Sequence, residues 1–322
     1  MTNQTPLVSI VIPSLNIAQH LSHSIDSILQ QNYPNIECFV VDGGSTDGTI
    51  EILHSYGDRI KWISEPDKGH ANAINKGWRM CKGEILSWLN ADDLYVIPDT
   101  ISKAVSYFQN NPTIDFVYGD YAGISEDGKT IFPVIKPREW DLIHVVKYCV
   151  PIICQPASFI RRSILEKVGW LDEELGNNID QDLWLRIGLK GTIKYAPFHA
   201  AYMRRCRGLS QRSDMAESKI NMAKNFFSIN NLPAPFNSLR FKRRAMSNAY
   251  LIAGEYTWSN TKNLKQSFRY VFKAIITDPL NIFHIIGEFH LYVLFFALPN
   301  RWREKLRYYR GKFRKENFNN RR

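Results

Sequence analysis

The chain has 322 residues, 44% of them hydrophobic and 13% aromatic, which is enough apolar mass for one large core or two smaller ones and too much for a disordered or fibrous protein. Its net charge of +10 sits mostly at one end: residues 301–322 carry ten Lys or Arg against Glu304 and Glu316, and the remainder is close to neutral. A charge confined to a tail excludes the fold-wide basic field of a nucleic-acid-binding domain, so no nucleic-acid partner is expected.

The opening "MTNQTPLVSIVIP" lacks a basic n-region and soon meets Pro13, so no secretory leader is expected. Within it "LVSIVIP", Leu7–Pro13, reads as an apolar, β-branched strand. "HLSHSIDSILQQ" then places Leu21, Ile25, Ile28 and Leu29 on one helical face. "IECFVVD", Ile36–Asp42, reads as a second buried strand, followed by the turn "GGSTDG" and a helix over 49–56. "RIKWIS" predicts a short third strand, "GHANAINKGWRMC" a helix, and "GEILSWLN" a fourth strand. Continuous apolar strands separated by helices imply a mostly parallel, Rossmann-like α/β sheet covered on both faces.

In such a sheet ligands collect at the carboxyl ends of the strands. Those ends carry Pro13, Ser14 and Asn16; Asp42, Gly43, Gly44 and Ser45; Glu65, Asp67 and Lys68; and Asn90, Asp92 and Asp93. Two adjacent carboxylates repel each other, and burying either without a partner costs several kcal/mol. Water, a basic side chain or a cation must compensate Asp92 and Asp93. Plainer readings stand beside this one: residues 42–47 as a turn with a helix cap, and Asp92-Asp93 as a solvated strand end.

Residues 114–137 read as short strands with a turn at "SEDGK". "CQPASFIRRSILEKVGWLDEEL" is a strand running into a short helix, and "NNIDQDLWLRIGLKG" a helix with Leu183, Trp184 and Ile187 inward. Asp180 opens that helix, where the dipole favours an anion, so a simple N-terminal charge is one reading of it. Cys38, Cys81, Cys149, Cys154 and Cys206 form no CxxC pair and read as buried thiols of a reducing, cytoplasmic compartment. After Ser213 the chain turns helical, with amphipathic stretches over 213–229 and 238–258. The segment "DPLNIFHIIGEFHLYVLFFALPN" is strongly apolar, interrupted by a polar stripe of Asn281, His284, Glu288 and Tyr292. Glu288 makes a bilayer span expensive; a core or dimer helix is one reading of the segment, and together with the basic tail it reads as an interfacial element on an anionic membrane surface.

Taken together, "VSIVIPSLN", "VVDGGSTDGT", "EPDKGHANAINKGW", "GEILSWLNADD", "QPASFIRRSILEKVGWLDE" and "IDQDLWLRI" resemble, in order, the inverting family-2 glycosyltransferases of GT-A fold, over roughly residues 7–212. The resemblance implies a nucleotide-sugar-binding half over 1–125, an acceptor-binding half over 126–212, and a helical extension over 213–322. It implies a donor, a UDP-sugar by preference, held by Pro13, Ser14, Asn16, Asp42, Asp67, Lys68, Asn90 and Asp92. Asp92 and Asp93 match its metal motif for Mn²⁺ or Mg²⁺, and Asp180 matches its catalytic base, with Asp182 as the runner-up. The implied activity is transfer of one sugar to a glycan or lipid-linked acceptor in surface polysaccharide synthesis, at the inner face of the cell membrane.

Three positions depart from the family pattern: Gly43 where a second acid is common, Asn90 where the acidic motif often begins with Asp, and Cys206 near the usual His of the segment around Arg204, Arg205 and Arg207. No Q-x-x-R-W motif is present, which argues for single-sugar addition over processive synthesis. A nucleotidyltransferase would want a Gly/Lys/Arg-rich triphosphate loop after the first strand, and "PSLNIAQHL" has none. A catalytically decayed, membrane-associated binding protein is the remaining alternative; the presence of Asp92, Asp93 and Asp180 together argues against it.

Overall fold

The computed structural model describes residues 5–96, 98–175, 178–204 and 215–281. Its centre is one sheet of eight strands: β1 (Val8–Ser14), β2 (Ile36–Asp42), β3 (Lys61–Ser64), β4 (Ile85–Trp88), β5 (Leu94–Tyr95), β6 (Phe116–Ile124), β7 (Ser158–Arg161) and β8 (Ile193–Arg204). The order across the sheet is β3-β2-β1-β4-β7-β6-β8-β5. The β3-β2-β1-β4 half is parallel. Beyond β4 the sheet is mixed, with β7 antiparallel to β4 and β6, and β8 parallel to β6.

The chain leaves β1 toward β2 on one side and returns to β4 on the other. The crevice between the carboxyl ends of β1 and β4 is therefore the topological switch point, where open α/β sheets bind ligands. Every residue of β1 and β4 is buried, as continuous apolar strands covered on both faces require.

On one face lie α1 (Ala18–Leu29) and α4 (Thr100–Asn110), which bury Leu21, Ile25, Ile28, Ile101, Val105 and Phe108 against Val8, Ile10 and Val40. On the other lie α3 (His70–Met80) and α7 (Ile179–Lys190). There Trp88 of β4 sits between Trp78 of α3 (centroids 5.2 Å apart) and Trp184 of α7 (5.5 Å), and Phe116 meets Trp184 edge-on at 4.5 Å. Offset and edge-on aromatic pairs of this kind contribute about 0.5–1.5 kcal/mol each beyond area burial. Leu183, Trp184 and Ile187 all face inward, as the periodicity of the segment predicts.

The short helices α2 (Thr49–Ser55), α5 (Leu142–Tyr148) and α6 (Arg162–Val168) complete the sheet region. The chain then runs through α8 (Met215–Ser228), α9 (Leu239–Thr261) and α10 (Leu264–Thr277). These are not appended to a finished domain. Ile220, Phe226 and Phe227 of α8 and Ala245, Met246 and Ala249 of α9 belong to the same buried cluster as Trp88, Val145 and Leu183. The interfacial segment expected over 278–299 lies outside the described residues from 282 onward, as do the basic tail and Arg205, Cys206 and Arg207.

Candidate active site

The site is built from loops that leave the carboxyl ends of β1, β2, β3 and β4. After β1, Asn16 adopts a left-handed conformation (φ 50°), which its short polar side chain tolerates. It donates its backbone N–H to Ser45 Oγ (2.8 Å), and its Oδ1 accepts from Thr46 N (2.9 Å). The loops after β1 and β2 are thereby clasped together.

Asp42 is fully buried and organises its own turn. Its Oδ2 accepts from the backbone N–H of Gly44 (3.0 Å) and Ser45 (2.9 Å) and from Ser64 Oγ (2.7 Å), while Ser45 Oγ donates to Oδ1. Gly43 follows, one of the three departures from the pattern the sequence resembles. A Cβ there would lie 2.8 Å from Asp67 Oδ2 and 3.4 Å from Leu15, so a side chain at 43 would meet the carboxylate of the loop after β3. Asp67 itself is steadied by the Gly69 N–H (2.7 Å), and Lys68 beside it is exposed.

The acidic pair divides its labour. Asp93 is turned inward: its Oδ1 accepts the backbone N–H of Arg204 (2.9 Å) and its Oδ2 the amide of Asn90 (2.9 Å). Burial raises the Asp93 carboxyl above its ordinary range, and the charge of Asp92 raises it further. Asp92 is only half-buried. Arg204, at the end of β8, holds the loop in place by donating to the carbonyls of Asp92 (2.9 Å) and Glu126 (2.9 Å). Ser24 Oγ of α1 holds it from beneath through the carbonyls of Ala91 (2.8 Å) and Asp93 (2.7 Å). The Arg204 guanidinium is therefore committed to main-chain carbonyls.

Three buried side-chain atoms at this edge make no hydrogen bond: Ser14 Oγ, Asn90 Oδ1 and Gln155 Oε1. Gln155 is fixed by donating its amide to Trp88 O (2.6 Å). A buried polar group left unpaired costs about 1–3 kcal/mol, and three near one switch point form a polar lining that a ligand could satisfy. Beside Asn90 and Asp67 lies His70, whose imidazole burial pushes down to about 4, so it is neutral near pH 7.

The donor set suits a hard divalent cation. Two repelling carboxylates and an unpaired amide oxygen are oxygen donors, and a cation beside Asp92 relieves their repulsion. Among the described residues no cluster of three or more His, Cys, Asp or Glu exists to enclose a metal. The protein offers one or two carboxylates, the pattern of cations that complete their coordination with phosphate oxygens.

Asp180 lies in the first turn of α7. Burial raises its carboxyl above the ordinary range, while the Gln181 N–H and the charge of Lys219 pull it back. Lys219 of α8 is 9% exposed and donates to Gln181 Oε1 (2.8 Å). Asn178, left-handed at φ 59°, opens α7 and donates to Ser218 Oγ (2.7 Å). The thiol of Cys154 is raised by burial and then by the charges of both Asp93 and Asp180. Asp182 points elsewhere and pairs with Arg186 (2.8 Å), whose guanidinium also binds the carbonyls of residues 168–170.

The structure thus gathers Ser14, Asn16, Asp42, Asp67, Asn90, Asp92, Asp93 and Asp180 around one sheet edge and leaves Asp182 out. It adds His70, Gln155 and Lys219. Gln155 stands inside the "QPASF" stretch; nothing in sequence connects Lys219 to Asp180.

The fold is that of GT-A glycosyltransferases. TarS of S. aureus in complex with UDP-GlcNAc superposes with a TM-score of 0.62 at 17% identity, covering 84% of this chain and 81% of that one. The mannosyltransferase PcManGT of Pyrobaculum calidifontis, in complex with GDP-Man and Mn²⁺, superposes with a TM-score of 0.61 at 21% identity, covering 91% and 81%. A glycosyltransferase of Rickettsia felis is 34% identical over 213 residues, 60% of this chain. The chain spans 32% of that relative's length and 27–58% of three other rickettsial relatives. Residues 9–169, half of the sequence, match the model of Glycosyl transferase family 2, and the chain belongs to that family.

Proposed function

We propose that this chain is an inverting glycosyltransferase that moves one sugar from a nucleotide-sugar donor to a hydroxyl of a glycan or lipid-linked acceptor. The observation that carries the reading is the polar edge. Unpaired Ser14, Asn90 and Gln155 atoms lie with the half-buried Asp92 where the strands end, and the buried Asp180 carboxylate, like Asp93, raises the Cys154 thiol through its charge. Asn16, Ser45 and Asp67 frame the nucleoside pocket, and the complexes of TarS and PcManGT support a donor of this class. A UDP-sugar is the first choice.

Asp92, with Asn90 beside it and Asp93 behind, would hold Mn²⁺ or Mg²⁺, which when bound neutralises the donor diphosphate. Asp180 accepts the proton of the acceptor hydroxyl as that oxygen bonds to the anomeric carbon. The bond from that carbon to the nucleotide diphosphate breaks on the opposite face, and the configuration inverts. Burial suits Asp180 to this role, because a raised pKa makes a carboxylate a better proton acceptor. Surface polysaccharide synthesis at the inner face of the membrane is the setting we assign, with the segment from 278 and the basic tail on the lipid surface. No helix among the described residues is long and apolar enough to cross a membrane.

Calorimetric titration of UDP, GDP and dTDP, with and without Mn²⁺, tests the reading on wild type and Asp92→Asn. Tight, metal-dependent binding of one nucleotide, lost in the variant, is the expected result. Absence of binding by all three overturns it.

A further inference from the structure

Helix α10 buries one face and leaves the other open. Ser267, Tyr270 and Ala274 pack inward, and Ser267 Oγ donates to Gly254 O of α9 (2.8 Å). On the opposite side Leu264, Phe268, Phe272 and Ile276 recur at every fourth residue and are 48%, 52%, 64% and 60% exposed. Leu280, just past the helix, extends the row at 66%. Residues four apart stack along one helical face, so the row is a continuous ridge about 18 Å long from Leu264 to Ile276. Scattered exposed apolar residues need no explanation, but a ridge containing two phenylalanines marks a contact surface.

The charges beside the ridge say what it contacts. Lys265, Arg269 and Lys273 each follow a ridge residue by one position and are exposed, forming a second row parallel to the first. No acidic residue lies within α10. At its carboxyl end Arg243 donates to Thr277 O (2.9 Å), bringing the exposed Arg243 of α9 to the same rim. The row ends at a cleft of about 320 Å³ whose lining includes Lys147, Arg240, Arg244, Asp278 and Leu280. Asp278 there is paired with Arg244, leaving the cleft cationic.

We infer that the α10 ridge, from Leu264 to Leu280 with its flanking Lys265, Arg269 and Lys273, is a docking face for an anionic phospholipid leaflet. The apolar row enters the acyl boundary while the basic row reaches back to the headgroups, the division of a helix lying in an interface. A protein helix seated on the same ridge would need acids to meet the basic row, and the apolar segment over 282–299 of this chain offers Glu288 alone. The inference deepens the membrane part of the proposed function and is independent of the transfer chemistry, since lipid binding is read without donor or acceptor.

The test is flotation of the full chain with vesicles of phosphatidylcholine alone or mixed equally with phosphatidylglycerol. The double variant Phe268→Gln/Phe272→Gln should lose about tenfold or more in partition to the mixed vesicles. Lys265→Gln/Arg269→Gln/Lys273→Gln should lose most of the preference for phosphatidylglycerol and its salt sensitivity. Both sets are exposed, so unchanged thermal unfolding is expected. In a Cys206→Ser background, an environment-sensitive dye on Phe272→Cys should emit as a solvated probe in buffer and shift to the blue on mixed vesicles. Wild-type partition by both variants overturns the inference. If neutralising the 301–322 tail then abolishes binding, the tail is the contact, and that part of the proposed function survives alone. A dye already blue-shifted in buffer also overturns the inference, because the ridge is then covered by this chain or a second copy.

Discussion

On the proposed reading Asp180 acts as a single carboxylate base, and its surroundings make that role testable. Asp180→Asn should lower turnover by about 10²–10⁴-fold with nucleotide binding unchanged, because a base acts only as the transition state forms. The wild-type profile should rise with pH through a pKa above that of an ordinary Asp, since the carboxylate must be ionised to accept a proton and burial opposes ionisation. Lys219 lowers that pKa by its charge. Lys219→Met therefore removes the opposing influence, and the acid limb of the kcat profile should move to higher pH, with Lys219→Arg moving it less. Gly43 makes a separate residue-scale case. Gly43→Asp introduces the acid that the resemblance leads one to expect there, yet drives it onto Asp67 Oδ2. Donor affinity should fall in the single variant and recover in Gly43→Asp/Asp67→Ser. Recovery, measured by calorimetry, would identify Asp67 as the carboxylate that stands in for position 43.

At the scale of elements, the site depends on how firmly α7 and the acidic loop are seated. Trp184 is buried against both Trp88 and Phe116 and carries the N-terminus of α7 to the sheet edge. Trp184→Ala should cost about 3–5 kcal/mol of stability, read as a lowered midpoint of denaturant unfolding. Elements of this kind were legible in the sequence because their apolar residues face the core. β1, β2 and β4 are unbroken apolar runs, and α7 has a clear inward face. Helix α10 is illegible for the converse reason: its most regular apolar row faces outward, and its inward face is Ser267, Tyr270 and Ala274. The acidic loop shows a different limit. Asp92 and Asp93 look equivalent as neighbours, and what separates them is Arg204, 111 residues beyond Asp93 and brought back by β8. Lys219 is equally invisible beside Asp180 until α8 folds against α7.

For the molecule as a whole, the family match ends at residue 169 but the physical unit does not. The cluster that holds Trp78, Trp88 and Trp184 of the sheet region also holds Phe226, Phe227, Phe236, Met246 and Tyr270 of the C-terminal helices, and α5 lies between them through Val145 and Val146. Polar ties cross the same boundary: Ser218 to Asn178, Lys219 to Gln181, and Asn248 to the carbonyl of Lys147 (2.7 Å). Removing residues 215–281 would expose that shared apolar face and strip the first turn of α7 of two partners. The sheet region and the helical extension should therefore unfold together. Six of the eight tryptophans, Trp62, Trp78, Trp88, Trp140, Trp170 and Trp184, precede α8, so in a Trp258→Phe/Trp302→Phe background tryptophan fluorescence reports on the sheet region, whereas far-ultraviolet circular dichroism weighs the long helices α8, α9 and α10. In urea the two probes should give one coincident transition with a single midpoint, the signature of one cooperative core. An extension that merely tethers the catalytic region would melt first, moving the dichroism curve to lower urea and leaving the fluorescence curve behind. Coincidence of the two curves would make the helices part of the machinery that holds Asp180 in place, and a chain ending near residue 212 should then neither fold nor transfer sugar.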